Sequence, residues 1–130
     1  MRYSQLTWEH FSDAASAGVL AGDEIARAAA GSAAQGTWVQ FDLRAKRRGF
    51  ATPLILEARF QAFGCPHVIA IADWLAAHAA GRGADARLPE PVGALQQLFG
   101  VPMEKLGRLF VLEDAWVGAV QALLNMQKKP

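Results

Sequence analysis

Cysteine is almost missing from this 130-residue chain: Cys65 stands alone. One thiol excludes an intramolecular disulfide framework and any zinc site built from several thiolates of the same chain. Charge of one sign is also lacking. Thirteen Lys and Arg against 12 Asp and Glu give a net charge of +1, so no global field gathers nucleic acid or anionic lipid. No run reaches the roughly 18 uninterrupted apolar residues of a membrane span, and the opening MRYSQLTWEHF holds no apolar stretch of signal-peptide length. A glycine-rich phosphate loop, a spaced Ser/His/Asp arrangement and a carboxylate pair at a recognisable separation are all absent. These absences predict a soluble cytoplasmic protein that is not an enzyme and has no nucleic-acid or membrane partner.

What is present is apolar surface. Hydrophobic residues make up 52% of the chain and charged ones 19%, a composition that can bury a core and lies outside that of disordered chains. The length suits one core, so residues 1–130 read as a single domain.

Tyr3, Leu6 and either His10 or Phe11 share a face at helical spacing, predicting a short helix over 3–11. With few apolar residues and a patternless segment after it, this helix is expected to be the least securely held element. The Ala-rich run Ile25 to Ala34 is helical in composition but broken by Gly31 and Gly36, and reads as an undetermined connection. From Trp38 to Ala45 the chain alternates: Val39, Phe41 and Leu43 on one face, Gln40, Asp42 and Arg44 on the other, as in a half-buried strand. Lys46 to Gly49 read as a turn. A second strand follows with Leu54, Leu56, Ala58 and Phe60 inward, Pro53 at an edge or bulge near its start, and a short third strand over Gln61 to Gly64. Pro66 suits the first turn of a helix that Gly81 stops. Gly81 to Pro91 is a linker, and Val92 to Phe99 a short helix ended by Gly100. Glu113 and Asp114 are placed to begin a last helix with the face Trp116, Val120, Leu123 and Leu124. Strands precede helices without βαβ alternation, so the fold class is α+β: a small three-stranded antiparallel sheet with helices on one face and a long C-terminal helix. The strand faces and Val68, Leu75, Val120 and Leu123 are expected to share one core.

The cluster Arg44, Lys46, Arg47, Arg48 and Arg59 reads as a solvated turn rather than a docking patch. The four Trp residues read as core or interface anchors. Cys65 has two readings. It is either a small buried hydrophobe or, at the N-terminal end of a helix, a thiol pushed toward thiolate and so toward nucleophilic or metal-binding chemistry.

The stretch ARFQAFGCPHVIAIADWLAAHAAGR, residues 58–82, resembles the segment of the IscU/NifU-type iron–sulfur scaffold family (NifU N-terminal domain-like) in which a strand runs through FGC into a helix. Tyr3, Ser4, Glu9, His10, Phe11 and Gly18 resemble that family's opening. VPMEKLGRLFVLEDA, residues 101–115, is similar to its LPPVK-containing segment. The resemblance implies an iron–sulfur cluster, or iron or zinc, held by three cysteines with an Asp and a His, and partners that include a cysteine desulfurase and other assembly proteins. It implies for this chain that Cys65 matches the second cysteine. Gln35 and Thr37 stand at the first cysteine and the aspartate, Gly107 and Arg108 at the histidine and the third cysteine. A cluster held by one chain needs about four ligands. The resemblance therefore implies a divergent scaffold protein in which Cys65 is the only retained ligand, acting as a persulfide acceptor or as a ligand shared in a dimer. The alternative is a pseudo-scaffold, an interaction module that binds no metal and modulates the assembly machinery. A lesser reading rebuilds a metal site from Cys65 with His67, His10 or Asp73. Val101, Pro102 and Lys105 keep part of the segment a dedicated chaperone grips in the family, while Met103 and Glu104 depart from it.

Gln35, Cys65 and Arg108 are expected to converge at one end of the domain. A guanidinium there repels a metal cation and favours the Cys65 thiolate if it lies within roughly 4 to 6 Å. Alternatively Arg108 points away to pair with Glu104 or Asp114.

Overall fold

A computed structural model describes residues 3–48, 51–85 and 87–127. Its elements are α1 (Gln5–Ser12), β1 (Ala26–Ser32), β2 (Thr37–Arg48), β3 (Ala51–Phe63), α2 (Pro66–Ala79), α3 (Val92–Phe99) and α4 (Leu106–Gln127), with a 3-10 turn at Met103–Lys105. The sheet is antiparallel in the order β1-β2-β3. Helices α2 and α4 cover one face, and a single core joins Val39, Phe41 and Leu43 to Val68, Leu75, Val120 and Leu123.

The third strand is not where the sequence places it. Gln61 to Phe63 continue β3, and the missing strand is β1, drawn from the Ala-rich run. Composition favours a helix there; packing decides for a strand. A Cβ added at Gly118 of α4 would lie 3.1 Å from the Ala28 Cβ, and one at Gly31 would come within 2.9 Å of the Val111 side chain. The small residues of β1 are therefore what lets α4 lie close across the sheet edge. At Gly31 the requirement is doubled by φ +83°, a region L side chains rarely adopt.

The inward face of β3 also departs from strict alternation. Arg44 pairs with Glu57 but Ala45 pairs with Ile55, so Leu56 is an extra residue in a bulge. The bulge switches faces: Ile55 is 1% exposed and Leu56 48%. Leu54 and Leu56, expected in the core, are replaced there by Ile55, with Ala58 and Phe60 inward as expected. Pro53 lies at a second irregularity, between the partners of Lys46 and Arg48, as its missing N–H predicts. Lys46, Arg47 and Arg48 belong to β2 rather than to a turn; Gly49 lies outside the described residues. Glu113 and Asp114 do not begin the last helix. It starts two turns earlier because Leu109 and Leu112 extend the buried stripe of Ala115, Trp116, Ala119 and Leu123. Lys128 and Lys129 are outside the description.

Asp42, assigned to the polar face, is 1% exposed. Its carboxylate accepts Arg27 Nε at 2.7 Å, Arg27 Nη2 at 2.8 Å and the Leu20 amide at 2.9 Å. The segment between α1 and β1 thus covers this part of the outer face. Burial alone would raise the Asp42 carboxyl, but these bonds hold it below the usual carboxylate range. Of the basic cluster, Arg44 is tied to Glu57 at 2.8 Å and to the Ala21 carbonyl at 2.5 Å, and Arg59 to the Ala15 carbonyl at 2.8 Å.

Candidate functional site

β3 ends in Gly64, and Cys65 caps the N-terminus of α2 in extended backbone, with Pro66 in the first turn. The Cys65 carbonyl accepts the amides of Val68 at 3.0 Å and Ile69 at 3.3 Å, which fixes the half-buried thiol at the positive end of a 14-residue helix. The sulfur makes no short capping bond. Burial pushes the thiol up, but the Val68 amide, the Arg108 guanidinium and the His67 amide together outweigh it and hold Cys65 below an ordinary thiol. Arg108 acts twice, as a hydrogen-bonding group and as a charge.

Arg108 reaches this point from the first turn of α4. Among the described residues it forms no ion pair with Glu104 or Asp114, and its guanidinium is one of the groups that lower the Cys65 thiol. Gln35 comes to the same end by its loop rather than by its side chain. Its amide donates to Ser32 Oγ at 3.1 Å and its side chain is exposed, while the next residue, Gly36, brings its carbonyl 3.5 Å from where a Cβ on Gly64 would sit. Thr37 is buried at the start of β2. Gly107 is exposed, with open space where a side chain would project.

His67 is 1% exposed, and neither ring nitrogen has a hydrogen-bond partner among the described residues. Its ring meets Tyr3 edge-on at 4.7 Å. Burial, then the positive charges of Lys105 and Arg108, push the imidazole below its ordinary pKa and favour the neutral ring. His10 and Asp73 do not join Cys65. His10 Nδ1 lies 2.6 Å from Asp73 Oδ2, and Asp73 Oδ1 accepts the Ser16 amide at 2.9 Å, so this pair fastens α1 and the chain after it to α2. Among the described residues no three His, Cys, Asp or Glu cluster as a metal would need. Val101 is buried, and Met103–Lys105 form a 3-10 turn, so this segment is not an extended strand; the Lys105 ammonium lies 5.6 Å from the centre of the Tyr3 ring.

The family model described as the NifU-like N terminal domain matches residues 2–129. The chain belongs to that family. No curated protein matches it in sequence. Among solved structures, a nitrogen-fixing NifU-like protein (N-terminal) from Brucella abortus is 17% identical with a TM-score of 0.70, over 97% of this chain and 95% of that one. A protein from Fervidobacterium islandicum AW-1, described as an iron–sulfur cluster assembly scaffold for the SUF system, is 13% identical with a TM-score of 0.59, over 93% and 96%. At these identities the likeness establishes the fold. In this NifU-like domain the sequence marked Cys65 and Arg108, and the Arg108 guanidinium contributes to lowering the Cys65 thiol. The depth of His67 and the Asp42–Arg27 pair escaped the sequence reading. The only available signal for either was a charged or polar residue in an apolar surrounding.

Proposed function

We propose that this NifU-like domain works in iron–sulfur cluster assembly as a sulfur acceptor, with Cys65 taking sulfur as a persulfide from a cysteine desulfurase. The observation that supports the reading most is the pairing of Cys65, at the start of α2, with Arg108. A thiol held below its ordinary pKa supplies more of the attacking thiolate at a given pH than a free cysteine does. The same donor set does not fit a cluster held by one chain. One thiolate falls short of about four ligands, and a permanently protonated guanidinium beside it cannot coordinate a cation. A cluster as cargo would need ligands from a second copy.

The transfer balances without a further reagent. The Cys65 thiolate attacks the outer sulfur of the donor's persulfide, and a new S–S bond forms at Cys65. The donor's S–S bond breaks, and the donor leaves as a thiolate that takes a proton from water. Arg108 then faces the persulfide anion, and its charge favours that ionised product as it favours the thiolate.

The experiment is incubation with a cysteine desulfurase and cysteine, followed by mass spectrometry of the intact chain. One added sulfur on Cys65, lost in Cys65→Ser and diminished in Arg108→Ala, is expected. A chain that binds the desulfurase but gains no sulfur, and stays colourless after anaerobic treatment with iron and sulfide, would overturn this reading in favour of an interaction module.

A further inference from the structure

The two edges of the sheet are finished differently. Along β3, the Gly18 amide donates to the Phe60 carbonyl at 2.8 Å and the Phe60 amide to the Ser16 carbonyl at 3.1 Å. Further along, the Ile55 amide donates to the Arg82 carbonyl and the Ala84 amide to the Pro53 carbonyl, both at 2.8 Å. Residues 16–18 and 81–84 thus lie beside β3 like short added strands. The β1 edge has no such cover. Among the described residues, the backbone bonds of Ala26–Ser32 run to β2 alone. Every second residue of an edge strand turns its N–H and C=O away from the neighbouring strand, so β1 presents a row of donors and acceptors ready to pair.

Bare edges are ordinarily blunted by Pro, Lys or a charge aimed along them. The β1 sequence ARAAAGS has neither Pro nor Lys. Its one charge, Arg27, is drawn sideways over β2 by the Asp42 carboxylate, with Nε at 2.7 Å and Nη2 at 2.8 Å, and so does not guard the edge. The remaining side chains are a methyl group, a hydroxymethyl group or nothing. Gly31, at φ +83°, bends the strand only next to its last residue.

The occupant that this strand fits is itself. A two-fold axis perpendicular to the sheet and passing beside Ala29 sets two β1 strands antiparallel over their whole length. Ala29 of one copy then stands opposite Ala29 of the other, Ala28 opposite Ala30, Ala26 opposite Ser32, and Arg27 opposite Gly31. No like charges meet, and the one long side chain faces the residue that has none. We propose that the chain self-associates through β1, joining two three-stranded sheets into one, with the two α4 helices on the same face. Ser32 leads into the loop whose Gly36 carbonyl approaches Gly64, next to Cys65. Antiparallel pairing puts the two Ser32 residues, and with them the two Cys65 thiols, toward opposite ends of the joined sheet. Such a dimer carries two separate thiols and does not supply a second copy's ligands to either. The inference stands apart from the role of Cys65 in sulfur transfer.

The test is sedimentation equilibrium of the full chain over a concentration series, with amide exchange followed at each concentration. A monomer–dimer equilibrium is expected, in which β1 amides slow as concentration rises and those of β3 do not change. Ala29 is exposed in the single chain, so Ala29→Lys and Ala29→Glu leave the monomer folded. Each sets like charges against each other across the axis and should weaken the dimer about fivefold. Mixing the two variants should restore association. A chain that stays monomeric up to about 1 mM, or a dimer that both variants leave unchanged, would overturn the proposal. So would β1 amides that slow only when a cysteine desulfurase is added, which would give the edge to that partner instead.

Discussion

At Cys65 three influences compete, and their balance has a sign that a titration can read. Burial opposes ionisation; the α2 amides and Arg108 favour it and prevail. Removing Arg108 leaves burial opposed by the amides alone, so the thiol pKa must rise. The expected result is slower iodoacetamide alkylation of Arg108→Ala near neutral pH and a pH–rate curve displaced upward, with Arg108→Lys between it and wild type because a point charge keeps the attraction but not the planar donor set. Coincident curves for all three proteins would remove the electrostatic coupling. Asp42 is a different kind of residue, since it acts on stability. Truncating it strands the buried Leu20 amide, a loss of roughly 2 kcal/mol for an unsatisfied buried donor, and urea unfolding of Asp42→Ala checks this. Much of this scale was legible in the sequence. Position at a helix start singled out Cys65, and the family pattern put Arg108 beside it. Asp42 was not legible, because period-2 alternation reports which face of a strand a residue occupies and not whether another segment covers that face.

Between elements, the junction of α1 with α3 carries more polar specificity than its few apolar residues announce. Ser4 caps α1 by accepting the Thr7 amide at 3.1 Å. The hydroxyls of Ser4 and Thr7 both donate, at 3.1 Å, to the Phe99 carbonyl at the end of α3. One terminal carbonyl of α3 is thus satisfied by α1 rather than by water. Ser4→Ala should cost about 1 kcal/mol. Because Thr7 is the one fully buried residue of α1, that loss should appear as local opening. Amide exchange over 5–12 is expected to quicken about fivefold, with β2 and β3 unchanged; uniform quickening across the sheet would mean that α1 opens only with the whole fold. The helices and the β2–β3 pair were legible at this scale because each carries its own periodicity. β1 and the bulge at Leu56 were not. Ala-rich β1 is a strand because α4 crosses it at close range, and Leu56 turns outward because pairing with β2 slips by one residue. Both are tertiary facts with no local signature. The segment after α2 belongs with them: a Gly- and Pro-rich stretch read as a linker pairs its Gly81 and Ala84 amides with the Ile55 and Pro53 carbonyls of β3.

For the molecule as a whole, two buried groups divide its acid response into separate windows. His67 has a folded pKa below the ordinary 6.5 because burial and the charges of Lys105 and Arg108 disfavour the imidazolium. Below that value the unfolded chain binds a proton that the folded chain does not, so this contribution is fully present above pH 6.5 and declines as pH falls toward the folded pKa. Asp42 is depressed below its ordinary 3.8. Its contribution is intact above 3.8 and is lost only as pH falls through the lower folded value. The prediction is a stability curve with one loss beginning near pH 6.5 and a second below 3.8, measured by urea unfolding at closely spaced pH. His67→Phe should erase the first and leave the second. It should also match or exceed wild-type stability at pH 7, because it keeps a ring against Tyr3 while removing two buried nitrogens without partners. Asp42→Asn should shrink the second to what the exposed Asp85, also held below 3.8 by Arg87, contributes, and leave the first. A His67→Phe protein that still loses stability between pH 6.5 and 5 would mean that another group titrates there. One markedly weaker than wild type at pH 7 would mean that the His67 nitrogens hold a partner in solution.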